Sequence, residues 1–277
     1  MEVLLKNQDT TLFTLVQPNP GKETILLLHG GPGLPDGLSF LREVLAKDFQ
    51  VIMFHQRGTQ KSPAPSHDYS LESYLSDINH VADHFALEQF HLFGHSWGGL
   101  YAQVYAQQHP HRLKSLFLCS PASGTGRQWL ETMLEINRYN LRKSSLREWL
   151  WMGVNAGLGA LGSDAGYRRL YRQILRNFNR GFQKAYPEYF ALSCVKASAI
   201  NGTLKAILAY PLLPSLKQPG FKITITYGDQ DIFGRSQQYV LQRYPTALRY
   251  ILPASGHIPW LHNQDDFLRV LEQHYKR

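Results

Sequence analysis

Cysteine is scarce in this 277-residue chain, which contains only Cys119 and Cys194. Two cysteines are too few for a disulfide framework, and neither lies in a C-x-x-C or other metal-ligand pattern. We therefore expect no structural metal site. Nothing in the sequence predicts a metal or an organic cofactor.

Long hydrophobic runs are also lacking. The amino-terminal segment Met1–Asp9 does not combine a basic region with a long apolar stretch, so no secretory signal is predicted. The longest weakly charged stretch, residues 150–162, is glycine-rich and too short to cross a bilayer. These absences favour a soluble protein, and the expected location is the cytoplasm.

Acidic residues are scarce between residues 122 and 219, where 14 lysines and arginines accompany 5 acidic residues, a net charge of +9. Part of this excess recurs along one predicted helical face, at Arg168, Arg172, Arg176 and Arg180. Such a face is most often simply solvated. The functional alternatives are attraction of an anionic substrate, contact with an anionic membrane surface, or an oligomer contact. No nucleic-acid-binding motif accompanies the charge, so no nucleic-acid partner is expected.

Short apolar runs alternate with helical patterns in both terminal parts of the chain. The runs are continuous, which is typical of parallel strands covered by helices on both faces. They occupy residues 24–28, 51–54, 90–93, 116–119, 221–227 and 248–252, and the helical patterns occupy residues 39–46, 71–85, 97–108 and 265–275. This order predicts an α/β fold with a doubly wound, mostly parallel sheet.

Residues 122–219 interrupt this alternation with mostly helical periodicity and no clear buried strand. We interpret this segment as a helical cap inserted into a core formed by residues 1–121 and 220–277. The chain length suits one large α/β domain with an insertion better than several independent modules.

The most informative motif is Gly94-His95-Ser96-Trp97-Gly98, which has the form G-x-S-x-G and joins a predicted strand to a predicted helix. Its two glycines allow a sharp turn that exposes the Ser96 hydroxyl. This arrangement predicts a nucleophile elbow, although a glycine-rich turn can also be an ordinary strand-to-helix connection.

A serine nucleophile needs a base and a carboxylate that orients the base, and in this type of fold they follow in the order serine, acid, histidine. Two acids, Asp229 and Asp231, follow the strand at residues 221–227. We prefer Asp231 because it lies further into the loop, and interpret Asp229 as a turn residue. The base candidate is His257, in a loop after the last strand, whereas His95 is expected to pack beneath the elbow.

Backbone donors for an oxyanion are predicted at two places. One is the N–H of Trp97, and the other lies in the loop His29-Gly30-Gly31-Pro32-Gly33. Within that loop Gly31 is the first choice and Gly30 the second. The glycines could also indicate phosphate binding, but neither G-x-G-x-x-G nor G-x-x-x-x-G-K-[ST] is present, so no nucleotide site is expected.

Together with Q-R-G at residues 56–58, these motifs resemble those of α/β-hydrolase-fold enzymes of the prolyl iminopeptidase group. The resemblance spans nearly the whole chain except the cap. It implies an α/β-hydrolase fold, a catalytic triad and an oxyanion hole. The residues that match these roles are Ser96, Asp231 and His257 for the triad, and Gly31 and Trp97 for the oxyanion hole.

The sequence differs from that of this group in two ways that affect which substrate is expected. His55 and Gln60 replace an aspartate and a glycine in the pattern D-Q-R-G-x-G-x-S, so the scaffold near the oxyanion loop is expected to be rearranged. In those aminopeptidases, cap carboxylates receive the free amino group of the substrate. Here the strongly basic cap would repel an ammonium ion. Its only acids are Glu131, Glu135, Glu148, Asp164 and Glu188.

The sequence therefore predicts a serine hydrolase that cleaves an ester or amide bond in a small molecule or short peptide. Prolyl iminopeptidase-like activity is one hypothesis, and a carboxylesterase or lactonase acting on a small apolar or anionic acyl substrate is the other. A non-catalytic ligand-binding protein of the same fold is the alternative from another class. Candidate substrate-binding residues are His29, Gly30, Trp129, Trp149, Trp151 and Phe233, although the tryptophans could equally form the core of the cap.

Overall fold

One eight-stranded sheet organises the protein, for which a computed structural model describes residues 1–182 and 192–276. The strands are β1 (Glu2–Asn7), β2 (Thr10–Gln17), β3 (Thr24–Leu28), β4 (Gln50–Phe54), β5 (Phe90–His95), β6 (Leu113–Cys119), β7 (Lys222–Gly228) and β8 (Leu248–Leu252). Their order in the sheet is β1-β2-β4-β3-β5-β6-β7-β8. All neighbours from β4 to β8 in that order are parallel, as the continuous apolar runs predict.

The antiparallel part of the sheet lies at its β1 edge, where β1 pairs with β2 and β2 pairs with β4. This hairpin lies outside the predicted strands. Threonines interrupt the apolar pattern of β2, and β1 is largely exposed at the sheet edge. Neither strand therefore forms the continuous apolar run that identifies a strand covered on both faces.

Helices lie at the four places in the core that the periodicity predicts, while the helix between β7 and β8 and the short helix at Pro259–His262 are not among the predicted ones. The helices are α1 (Ser39–Leu45), α2 (Leu71–His84), α3 (Trp97–Gln108), α4 (Arg127–Lys143), α5 (Leu146–Ala160), α6 (Asp164–Asn179), α7 (Ala197–Ala209), α8 (Gln237–Arg243), α9 (Pro259–His262) and α10 (Gln264–Tyr275). Within the described residues, no helix combines the length and hydropathy needed to cross a bilayer.

The inserted segment, residues 122–219, contains α4 to α7 between β6 and β7. Its mostly helical character agrees with the sequence pattern, while the division into core and cap stays a prediction. One of its predicted features, Glu188, lies outside the described residues.

A buried ion pair fixes the loop that follows β4. Arg57 donates from Nε and Nη2 to the two carboxylate oxygens of Asp77 on α2, both at 2.8 Å, and both side chains are fully buried. A second donation from Nη2 goes to the carbonyl of Ser73 at 3.0 Å. Because removing one partner would leave an uncompensated buried charge, this pair holds the loop firmly against α2.

His274 is a buried titratable group remote from the Ser96 turn, and it makes stability depend on pH. Its ring nitrogens lie 2.7 Å and 2.8 Å from the hydroxyls of Thr224 and Ser115. Burial lowers the pKa of His274 from 6.5 to about 3. Between those values the unfolded chain binds the proton and the folded protein does not, so stability falls as the pH drops below 6.5.

We therefore expect His274→Gln to reduce the loss of unfolding free energy between pH 7 and pH 5 by about 2 kcal/mol. Urea denaturation at the two pH values measures this loss. The matched control is His84→Gln, because His84 is exposed on α2. Equal pH dependence in wild type and His274→Gln would contradict the expectation.

Candidate active site

Ser96 lies in a strained turn between β5 and α3. Its backbone has φ 54° and ψ −117°, a conformation that L-residues rarely adopt. The flanking glycines make the turn possible, because a Cβ on Gly98 would lie 2.2 Å from the carbonyl oxygen of Leu28, and one on Gly94 would lie 2.3 Å from that of Gly98. The local geometry is therefore the sharp strand-to-helix turn that the G-x-S-x-G motif predicts.

His257 lies beside this serine, in the loop that follows β8. Its Nε2 is 2.9 Å from Ser96 Oγ, and its Nδ1 is 2.9 Å from Asp231 Oδ1. Edge-to-face contacts with Phe178 of α6 and with Phe233, at 5.1 Å and 5.0 Å between ring centres, hold the imidazole in place. The structure thus brings together the three side chains that the sequence singles out.

Asp231 is fully buried and accepts hydrogen bonds on Oδ1 from His257 Nδ1 and from the N–H of Phe233 at 3.2 Å. Burial raises the pKa of the Asp231 carboxyl, but the electrostatic interaction with the imidazole of His257 and the hydrogen bonds to the carboxylate outweigh burial and leave that pKa below its ordinary value. An ionised Asp231 holds the imidazole proton on Nδ1, so Nε2 is free to accept the Ser96 hydroxyl proton.

Asp229 has a different position in the same loop. Its carboxylate accepts hydrogen bonds from the N–H groups of Ala254 and Ser255 at 3.1 Å and 3.0 Å. It therefore ties the loop after β7 to the loop that carries His257, as a turn residue rather than as a partner of the imidazole.

Two further histidines position the His257 loop. His95 is buried, and its Nε2 donates to the backbone carbonyl of His257 at 2.8 Å, so it packs beneath the turn as expected. His262 accepts from the N–H of Gly256 at 3.0 Å and donates to Asn179 of α6 at 2.9 Å. Burial lowers the pKa of His262 to about 4, so the ring stays neutral at pH 7. The sequence offers no signal that separates His262 from the other histidines.

The loop after β3 lies against Ser96. A Cβ on Gly30 would lie 3.4 Å from Ser96 Cβ, and Gly31 adopts φ +133°, a region that favours glycine. Trp97 is the first residue of α3, where backbone N–H groups have no partner within the helix. Its indole is buried and donates to Gln56 Oε1 at 2.8 Å, so the side chain anchors the turn while the N–H stays at the helix end.

His29 does not line the cavity around Ser96, contrary to its prediction as a substrate-binding residue. Its Nδ1 donates to the carbonyl of Gly30 at 2.8 Å, and Gln56 Nε2 donates to the carbonyl of His29 at 2.9 Å. The ring is fully buried because it holds the backbone of the glycine loop. Its role is therefore to support the loop rather than to contact a ligand.

The residues that depart from the aminopeptidase pattern contact the loops around the site. Gln60 accepts a hydrogen bond from the N–H of Asp36 at 3.0 Å, in the connection between β3 and α1. His55 packs on Phe13, accepts from the N–H of Lys61 at 3.3 Å, and has its pKa lowered by burial to about 4. A neutral His55 thus occupies a site where an aspartate would bring a negative charge.

A cavity of about 1340 Å³ opens above Ser96 and His257, between the strand ends and the inserted segment. Four of the candidate substrate-binding residues line it, namely Gly30, Trp129, Trp149 and Phe233, and so does Gly31, the candidate oxyanion-hole residue. Most of the remaining lining side chains are apolar and come from α4 to α7, where helical periodicity marks them as inward-facing without revealing a cavity. Trp151 lies outside: it is 57% exposed, because it points away from the cavity-lining side of α5.

Carboxylates of the inserted segment do not line this cavity in the described part of the chain. Glu135 accepts from the N–H groups of Gly234 and Ser236, and Glu131 accepts from Tyr239 Oη. Glu148 pairs with Arg180, and Asp164 pairs with Arg168 and Lys196. Apart from histidine, the single charged lining residue among those described is Lys205.

Residues 23–263 match the model of the alpha/beta hydrolase fold family. The chain belongs to this family. The predicted fold class is therefore confirmed. Among the described residues, no group of three histidine, cysteine, aspartate or glutamate side chains is arranged to hold a metal ion.

Curated relatives and solved structures agree with the resemblance seen in the motifs. A proline iminopeptidase of Lactobacillus acidophilus is 32% identical over 135 residues, which cover 47% of this chain and 46% of that protein. The chain thus spans about half the length of the curated relatives it matches.

Two solved structures share the fold across nearly the whole chain. A proline iminopeptidase from Mycobacterium smegmatis has a TM-score of 0.70 and 18% identity, covering 99% of this chain and 97% of that one. An esterase from Exiguobacterium antarcticum has a TM-score of 0.72 and 18% identity, covering 99% and 98%.

Proposed function

We propose that this protein is a serine hydrolase that cleaves carboxylic esters with a sizeable apolar acyl group. The observation that carries the proposal is the continuous contact from Ser96 Oγ through His257 to Asp231, with 2.9 Å at each step. In this proposal Ser96 is the nucleophile, His257 the general base and Asp231 the residue that orients the imidazole.

The reaction follows from the positions of these groups. Ser96 Oγ attacks the substrate carbonyl while His257 Nε2 takes its proton. The N–H groups of Trp97 and Gly31 stabilise the oxyanion that forms. When the bond from the carbonyl carbon to the alcohol oxygen breaks, His257 gives its proton to that departing oxygen and the alcohol leaves. Water then attacks the acyl-enzyme while His257 takes its proton, the bond to Ser96 Oγ breaks, and Ser96 regains its proton as the carboxylic acid leaves.

The cavity favours an uncharged acyl group over an aminoacyl group. A substrate with a free α-amino group brings an ammonium ion, which needs a carboxylate or loses its hydration without compensation. Among the described lining residues, the charged side chain apart from histidine is Lys205 and not a carboxylate. A lysine repels an ammonium ion. An apolar acyl chain, by contrast, gains free energy from every apolar surface that it covers.

Prolyl aminopeptidase activity is the second candidate, supported by the 32% identity to a proline iminopeptidase. The two candidates are distinguished by a matched pair of substrates, L-prolyl p-nitroanilide and cyclopentanecarbonyl p-nitroanilide. These molecules share ring size and leaving group and differ in the ring amine, which is protonated at pH 7.

We expect kcat/KM for the cyclopentanecarbonyl compound to exceed that for the prolyl compound by about tenfold or more, because an unpaired charge costs more than 1.4 kcal/mol. p-Nitrophenyl butyrate and octanoate, assayed in parallel, report esterase activity directly. A tenfold preference for the prolyl compound would support the peptidase and overturn the ester proposal.

A further inference from the structure

Helix α5 is apolar on two sides, and only one of them lines the cavity. Trp149, Met152, Ala156 and Ala160 are on the cavity side. The other side, including Leu161 directly after the helix, is here called the outer face of α5. Its six apolar residues are 41% to 88% exposed: Leu146, Leu150, Trp151, Val154, Leu158 and Leu161. At 100° per residue they cover roughly 140° of the helix circumference.

A surface of this kind needs a partner. A leucine side chain gains free energy when it leaves water, so six exposed apolar residues on or directly after one helix represent a large unused driving force for association. Gly157 leaves this side of the helix open as well, because a Cβ at that position would meet no atom within 4 Å. Contiguous exposed apolar surface on this scale marks an interaction site.

Exposed apolar residues also surround the opening of the cavity. Leu130, Met133 and Leu134 of α4 and Leu208 of α7 line the cavity and are at the same time 40% to 53% exposed. Helices α4 and α5 contact each other. An apolar surface thus extends from the outside of the inserted segment to the cavity above Ser96.

The positive charge of the inserted segment favours an anionic partner. Arg147 lies within the outer face of α5, and Arg138 and Arg142 are exposed on α4. The ion pairs of the described part of the inserted segment use Arg168, Lys196 and Arg180 instead. The segment as a whole carries a net charge of +9. A second copy of the chain would bring the same positive charge, whereas an anionic surface complements it.

We propose that the outer face of α5 and the apolar opening of the cavity bind the surface of an anionic lipid bilayer. Leucine side chains and Trp151 would enter the boundary between head groups and acyl chains, where tryptophan is favoured. The arginines would contact lipid phosphates, and binding would place the cavity opening next to amphiphilic molecules in the bilayer. This inference does not depend on the proposed hydrolysis.

The test is co-sedimentation of the 277-residue protein with two kinds of vesicles, phosphatidylcholine alone and an equal mixture with phosphatidylglycerol. We expect binding to the mixed vesicles that weakens as salt is added. The double variant Leu150→Glu/Leu161→Glu is expected to lower the bound fraction about tenfold, because it places two charges in the apolar boundary. The matched control is Leu4→Glu/Ile251→Glu, whose sites on β1 and β8 are 65% and 60% exposed.

Neither substituted residue of α5 lines the cavity, so hydrolysis of a water-soluble ester and the circular dichroism spectrum check that the variant is folded. Equal binding of wild type and double variant would overturn the proposal, as would equal binding to both kinds of vesicles. Light scattering measures whether the protein forms a dimer through the outer face of α5 instead. A dimer that the double variant abolishes, without any vesicle binding by wild type, would assign the outer face of α5 to a second copy.

Discussion

Replacing Ser96 with alanine is expected to lower kcat/KM for a p-nitrophenyl ester on the order of 10⁶-fold, because no other group at the site supplies the attacking oxygen. Stability should stay the same or rise, since alanine fits the space of serine. The same substitution should abolish covalent labelling by a fluorophosphonate probe. Ester kinetics and mass spectrometry of the labelled protein measure the two effects.

The matched control is Ser198→Ala, an exposed serine near the start of α7. It should leave both turnover and labelling unchanged. If Ser96→Ala keeps its activity and its labelling, another residue is the nucleophile and the proposed hydrolysis by Ser96 is wrong. A protein that neither turns over esters nor reacts with the probe in wild-type form would favour the non-catalytic alternative.

Asp231→Asn is expected to lower kcat about 10⁴-fold, because an amide at this position presents a donor to His257 Nδ1 or favours the wrong tautomer. The carboxylate is the acceptor that keeps the proton on Nδ1, 2.9 Å away. Without it, Nε2 carries the proton and cannot accept one from Ser96. Steady-state kinetics with an ester at pH 7 measure the loss.

Asp229→Asn is the internal control, two residues away in the same loop. Its carboxylate accepts two backbone N–H groups, and an asparagine keeps one acceptor oxygen. We therefore expect a loss of about tenfold or less, together with a small loss of stability. Comparable losses of activity in the two variants would remove the reason for assigning the orienting role to Asp231.

The local sequence pattern was sufficient to predict those strands whose residues are buried on both faces of the sheet. A continuous apolar run such as residues 24–28 has few alternatives to a buried parallel strand, and β3 has these bounds. The hairpin of β1 and β2 lacks such a run. β1 is the partly exposed edge strand, and β2 pairs with β4, which is distant from it in sequence.

Among the candidate site residues, the sequence pattern also failed to show that Trp151 and His29 do not line the cavity. Periodicity places Trp149 and Trp151 on one helix but does not say which side of that helix meets the cavity, and only Trp149 lines it. A histidine in a glycine-rich loop carries no mark of whether its ring faces solvent or, as His29 does, supports the backbone.

By itself the sequence determined the fold class and located the candidate serine Ser96, the candidate base His257 and a loop with two candidate acids, because tight turns and buried strands impose strong local constraints on residue type. Only the tertiary structure decided which of the two loop aspartates meets the imidazole and where the described carboxylates of the inserted segment point. It also decided that α5 keeps an apolar side outside the cavity. These outcomes depend on how helices pack over the sheet, and packing is set by contacts between residues far apart in sequence.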